Sequence, residues 1–135
     1  MIIKRRIPMN ALQKGLADLL SQGQTTPVYD DVTDDAELPY ITLGEFTCKQ
    51  AGGKTIDIWN TSIKIDIWSD YGGKAEVNEI INDISTVLSS ALIDLSTDKF
   101  KVISQEVDFI EAFPEQEFGY HGVITLVCRI QNLGE

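Results

Sequence analysis

The chain has 135 residues, 43% hydrophobic and 24% charged, and this composition indicates one globular domain rather than a disordered chain. Its formal net charge of −10 makes it a poor candidate for gripping DNA through the phosphates, because such binding depends on Lys and Arg, although it could still surround DNA without binding it. No apolar run approaches the roughly 18 residues that a membrane-spanning helix needs, and the first residues do not resemble a secretory signal.

A basic extension, residues 1–9, opens the chain. Lys4, Arg5 and Arg6, with Lys14 further on, give the first fourteen residues a charge of +4, so the remaining 121 residues carry −14. We expect residues 1–9 to be flexible. The basic triplet either pairs with an acidic surface of a neighbouring subunit or makes no contact.

Next comes a short amphipathic helix over residues 10–21. Its leucines recur at helical spacing, with Asn10 as N-cap and Gly23 as the stop. A turn-rich connection follows, and five acids lie close together in it: Asp30, Asp31, Asp34, Asp35 and Glu37. They lack the order of residues in an EF-hand, so a solvated or channel-facing acidic surface is favoured over a calcium site.

Two strands are predicted after this connection. Residues 40–49 form the first, and a turn containing Gln50, Gly52, Gly53 and Lys54 leads to the second, residues 55–69. In the second strand the isoleucines at 63, 65 and 67 alternate with polar residues, whereas those at 56 and 58 have the opposite parity. This change of parity predicts a β-bulge near Trp59 and Asn60.

A second helix begins near Lys74, with an apolar stripe from Val77 to Leu92. Two further strands, residues 100–110 and 122–131, are separated by a long loop, residues 111–121. Ile103, Val107 and Phe109 are expected to be in phase in the earlier of the two. The order α-β-β-α-β-β predicts an α+β fold: a four-stranded antiparallel sheet with two helices packed on one face.

Motifs that carry chemistry are missing from the sequence. The single histidine, His121, has no motif around it and is more often structural than catalytic. Cys48 and Cys128 fit no zinc spacing; they are either free thiols or, if their strands are neighbours, a disulfide. We expect no catalytic residue, no cofactor and no metal site.

Aromatic residues are concentrated in the loop before the last strand. Phe113, Phe118 and Tyr120 are interspersed there with Glu115 and Glu117. Aromatic side chains are costly to leave in water, so the loop either folds back on the core or docks on a partner. Together with the residue 50–54 turn, it is the predicted docking region.

Three segments resemble one known family. They are VYDDVTDDAELPYITLGE at residues 28–45, TSIKIDIWSDYGGKAEVNEIINDISTVLSS at 61–90, and GYHGVITLVCRIQ at 119–131. They are similar to the tail completion proteins of long-tailed bacteriophages, which include tail-to-head joining and tail terminator proteins. Thr33 stands where that pattern often has a proline, and the basic extension is not part of it.

The resemblance implies a structural virion protein and not an enzyme. It implies a ring, usually of six copies, that caps the finished tail tube and joins it to the head connector or stopper. DNA would pass through without specific binding, and no membrane would be involved. The protein would be made in the bacterial cytoplasm and reside at the tail–head junction. The alternatives are another phage neck protein, such as a stopper or head completion factor, or a non-viral α+β binding module.

Overall fold

The computed structural model describes residues 3–70, 72–116 and 119–134. It contains two α-helices, a short 3-10 helix and five strands. Their bounds are α1 Met9–Gly23, β1 Val28–Tyr29, β2 Tyr40–Gln50, β3 Ile58–Ser69, α2 Ala75–Ser90, the 3-10 turn Ser96–Asp98, β4 Phe100–Pro114 and β5 Tyr120–Asn132. No helix among the described residues is long and apolar enough to cross a membrane.

The strands form one mixed sheet in the order β1-β2-β3-β5-β4. The α+β class and the two helices are confirmed, but the expectation of four antiparallel strands is corrected by β1, which pairs in parallel with β2. Only Val28 and Tyr29 belong to β1. A strand of two residues is too short for an alternation pattern, so the sequence could not reveal it.

The β-bulges lie elsewhere than predicted. β3 pairs with β5 without a shift from Ile58 to Ser69, so there is none at Trp59 and Asn60. Shifts occur instead in β2, between Leu43 and Phe46, and twice in β4. The change of parity at Ile58 has a simpler cause, since Ile58 points to the opposite sheet face from the later isoleucines.

One hydrophobic core lies between the helices and one face of the sheet. Leu12, Leu16 and Leu20 of α1 are fully buried there, and α2 buries Val77, Ile80, Ile81, Ile84, Val87 and Leu88. Alternate residues of β3 and β5 complete it: Ile63, Ile65, Ile67, Ile124, Leu126, Cys128 and Ile130. The opposite face of the sheet is open, since both helices share this core.

The helix ends differ slightly from expectation. α1 begins at Met9 after Pro8, and Asn10 lies inside the helix rather than at its cap. α2 ends at Ser90, so Leu92 lies beyond it and is exposed. Gln105 holds this end, because its amide nitrogen donates to the carbonyls of Leu88 and Ala91 at 3.0 and 2.9 Å.

The last two strands are longer than predicted. β4 runs to Pro114 and β5 starts at Tyr120, so much of the expected loop belongs to the sheet. The two shifts in β4 also break the predicted phase: Val107 packs against the core, whereas Ile103 and Phe109 are exposed.

Candidate docking surfaces

The turn between β4 and β5 closes one end of the sheet, which we call the hairpin end. The backbone N–H of Glu115 donates to the carbonyl of Gly119 at 3.0 Å, so the predicted long loop is reduced to residues 115–119. Gly119 has φ +84°, and a Cβ there would lie 2.0 Å from the Ser69 carbonyl oxygen. Only glycine fits this position. Glu117 and Phe118, both predicted to dock, lie outside the described residues.

His121 links the hairpin end to the open sheet face. Its Nε2 lies 2.8 Å from Asp66 Oδ1 and its Nδ1 lies 3.0 Å from Glu115 Oε1. The Trp68 ring stacks on it with centroids 3.9 Å apart, and Phe113 meets it edge-on at 4.9 Å. Both ring nitrogens of His121 therefore lie within hydrogen-bond distance of a carboxylate, which fixes the orientation of the ring. The arrangement holds the turn against β3 and gives the histidine a structural role.

The predicted docking aromatics are divided by the structure. Phe113 is over one third exposed, whereas Tyr120 is half-buried and packs against the core. Phe113 lies in β4, directly opposite His121, and not in a loop. Tyr120 therefore folds back onto the core while Phe113 stays exposed, and the docking role of these side chains stays a prediction.

The turn between β2 and β3 lies at the opposite end of the sheet. Backbone N–H groups of Ala51 and Gly52 both donate to the Ile58 carbonyl, at 2.8 and 3.2 Å. The carbonyl of Gly53 accepts from Arg5 at 2.7 Å. Gln50, Gly53 and Lys54 are exposed. The turn is thus tied to the N-terminal segment and presents its polar side chains outward.

Arg5 and Arg6, which lie within the extension predicted to be flexible, contact this turn, and residues 1 and 2 lie outside the described residues. Asp57, which is almost fully buried, accepts from Arg5 at 3.3 Å and from the Arg6 backbone at 2.8 Å. Asn132 donates to Asp57 at 2.9 Å and accepts from Arg6 Nε at 2.8 Å. Sequence reasoning missed this cluster. The only local signal is an acid between Ile56 and Ile58 in an apolar stretch.

The acidic connection between β1 and β2 is solvent-exposed. Asp30, Asp31, Asp34, Asp35 and Glu37 are all exposed. A hydrogen bond from Thr33 Oγ1, 2.6 Å long, lowers the pKa of Asp35 below its usual range. Within residues 3–70, 72–116 and 119–134, no group of three acidic, His or Cys side chains could hold a metal ion.

The two cysteines lie on the same sheet row but do not meet. Cys48 pairs with Thr61, and Thr61 pairs with Cys128, so β3 separates them. Two strand spacings place their Cα atoms about 10 Å apart, beyond the reach of a disulfide. Burial raises the pKa of Cys128 to about 12, and burial followed by the charge of Asp57 raises that of Cys48. Both are free thiols.

Comparison with known proteins points to one family. The family model described as tail completion protein gp17 matches residues 11–131. A search of curated proteins finds no match.

Two solved structures share the fold. A chain from the virion of a native gene transfer agent particle superposes with a TM-score of 0.80 at 17% identity, covering 92% of this chain and 97% of that one. The gp17 protein of bacteriophage SPP1 has a TM-score of 0.60 at 17% identity, with 96% of each chain covered. At this level of identity the likeness concerns the fold alone.

Proposed function

From the premise that this chain belongs to the tail completion protein gp17 family, a family of structural phage tail proteins and not of enzymes, we propose that it caps the finished tail tube as a ring. The ring joins the tail to the head connector and leaves a channel for DNA. The observation that carries this proposal is the family match over residues 11–131, almost the whole folded domain.

The sheet supports a ring because it has two open edges. In the described part of the chain, β4 has no neighbour on its outer side along Phe100–Pro114, and β1 covers β2 only at Ile41 and Thr42. Unpaired strand edges favour pairing with another chain. β4 of one copy and β2 of the next are therefore the proposed contact.

Strand directions agree with that contact. Each neighbouring pair in β2-β3-β5-β4 is antiparallel, so β4 runs opposite to β2 within one copy. A copy rotated about an axis along the strands keeps these directions. β4 would then lie antiparallel to β2 of the next copy, and repetition of such a head-to-tail contact closes a ring when the rotation permits.

The acidic connection is the proposed lining of the channel. Six copies would carry a formal charge of −60, because each carries −10. If Asp30, Asp31, Asp34, Asp35 and Glu37 face the channel, their field keeps DNA phosphates away from the wall and lets DNA slide. Replacing these acids with lysine is then expected to slow DNA ejection from assembled particles, and unchanged ejection kinetics would remove this part of the proposal.

In the first experiment, the purified protein is mixed with tail tubes of the phage whose genome encodes it, and the mixture is analysed by sedimentation and electron microscopy. Ring-shaped density at one tube end, together with arrested tube growth, is the expected result. Binding to DNA-filled heads instead of tubes would place the protein on the head side of the neck. Binding to neither would leave the assembly role without support.

A variant pair tests the strand-edge contact. Phe109→Glu places a charge on the exposed β4 edge, whereas Val32→Glu changes another exposed apolar residue away from it. We expect the Phe109 variant to lose rings on tubes while the Val32 variant keeps them. Equal ring formation by both variants would exclude the β4 edge from the subunit contact.

A further inference from the structure

One end of the sheet gathers segments that are far apart in the sequence. We call it the basic end: there β2 and β5 finish and β3 and β4 begin, on the row Gln50, Trp59, Ile130 and Val102. Residues 3–8, the turn 51–57, residues 91–99 and residues 133–134 adjoin this row.

Arg6 joins these segments into one surface. Its Nη2 donates to the carbonyls of Asp98 and Lys99, both at 3.0 Å, and its guanidinium lies 4.2 Å from the centroid of the Phe100 ring. Its backbone and Nε bind Asp57 and Asn132. The surface is therefore organised before any partner arrives, which lowers the entropy cost of binding.

The charge of this end is opposite to that of the rest of the molecule. Eight cations lie there against three carboxylates, so it carries +5 and the remainder of a −10 chain carries −15. The cations are Lys4, Arg5, Arg6, Lys49, Lys54, Lys99, Lys101 and Arg129, and the acids are Asp57, Asp94 and Asp98. The five lysines are all exposed, and none forms a salt bridge with the described acids.

Exposed apolar side chains lie among these lysines. Ile7, Leu92 and Leu133 are each more than half exposed, and Ile56 is 38% exposed. Two shallow clefts flank the Arg6 cluster: one between Leu92 and Leu133, the other beside Lys4 and Ile56. Apolar residues within a charged rim are typical of protein–protein interfaces.

We propose that the basic end is the docking face for another protein of the tail or neck, one whose surface carries carboxylates around an apolar centre. This rests on the proposed function, since it names the side of the capping ring that meets its neighbour. The exposed lysines of the basic end would pair with carboxylates at the rim of the partner's surface. Its exposed leucines and isoleucines would pack against apolar side chains at the centre of that surface. DNA is disfavoured as the occupant, because phosphate binding makes no use of these apolar side chains.

Reversing the charge of exposed lysines at the basic end tests the proposed contact with an acidic partner. The triple variant Lys4→Glu, Lys54→Glu and Lys99→Glu changes no residue of β2 or β4, so it leaves the proposed subunit contact intact. It is compared with Lys14→Glu, Lys64→Glu and Lys74→Glu, which makes the same charge change away from the basic end. Co-sedimentation with tail tubes is expected to weaken at least about tenfold for the basic-end triple and less than about twofold for the control. Wild-type binding should also weaken as salt rises. Thermal unfolding of both variants establishes that each is folded.

The outcomes separate the inference from the proposed function. If the wild type binds tubes and the basic-end triple binds equally well, the docking face lies elsewhere while the capping function stands. If the wild type binds neither tubes nor heads, the function itself fails. Binding to heads alone, lost in the basic-end triple, would support the face and assign the partner to the head side.

Three further measurements test whether the partner is another protein with an apolar centre, rather than DNA or a second copy of this chain. Binding of a short DNA duplex that is lost in the basic-end triple would reassign the surface to nucleic acid. Self-association without tubes, lost in the same triple, would reassign it to a contact between copies. The paired change Leu92→Asp and Leu133→Asp is expected to abolish tube binding, and unchanged binding would overturn the apolar centre.

Discussion

The two ends of the sheet are held together in different ways. At the hairpin end, Trp68, His121 and Phe113 are direct register neighbours on three adjacent strands. At the basic end, Arg6, Asp57 and Asn132 come from the N-terminal segment, a turn and the end of the last strand. The hairpin end is thus a consequence of strand pairing, whereas the basic end requires the fold to bring three distant segments together.

Removal of the central acid of the basic end should have the largest effect on stability. Asp57→Ala leaves Arg5, the Arg6 backbone and Asn132 without their shared acceptor. Breaking a buried ion pair by removing one partner costs about 3 kcal/mol of unfolding free energy, which corresponds to a fall in Tm of about 10 °C. Calorimetry measures the Tm of Asp57→Ala and, as a control, of Asp94→Ala, which removes an exposed acid at the same end. Equal Tm values for the two variants would show that the Asp57 cluster contributes nothing to stability.

Glycine substitutions compare the two turns directly. Gly119→Ala combines positive φ with a clash against the Ser69 carbonyl and is expected to cost about 2 kcal/mol. Gly53→Ala meets no atom within 4 Å and should change stability little. Urea denaturation of both variants ranks them, and a Gly53 variant as damaged as the Gly119 variant would contradict the described turn geometry.

Truncating the histidine should weaken the hairpin end alone. His121→Ala removes the ring that stacks on Trp68 and contacts Asp66 and Glu115, at an expected cost of about 1–2 kcal/mol. Hydrogen exchange should rise around residues 115–121 and stay unchanged at the basic end. A rise at both ends would mean that the two ends are coupled, and Lys74→Ala serves as a surface control.

Cysteine chemistry should leave both ends unaffected. The raised pKa of Cys128, about 12, keeps its thiol protonated from neutral pH up to at least pH 9, and the raised pKa of Cys48 acts in the same direction. A thiol reagent should therefore react slowly with Cys48 and most slowly with Cys128 until the protein unfolds. Cys48→Ser should remove the faster phase, and a disulfide formed under oxidising conditions would contradict the separation by β3.

Relatively little of the candidate site was accessible to sequence reasoning. The Phe113, Glu115 and Tyr120 region was singled out because aromatic residues interrupt an acidic stretch; β4 extends further through it than expected, and its docking role stays a prediction. The basic triplet was noticed but not placed, since nothing in the sequence pairs Arg6 with Asn132 across 126 positions. Hydrogen bonds between distant polar groups leave no periodic signal.

The sequence by itself determined both helices, the four long strands, the core face and the family. Apolar periodicity is a local property, because each helix or strand must place its apolar residues on the side that will be buried. Only the tertiary structure decided the parallel strand β1, the positions of the bulges, the separation of Cys48 from Cys128 and the assembly of the basic end. These features depend on which strands become neighbours, a choice made by packing the whole chain around one core.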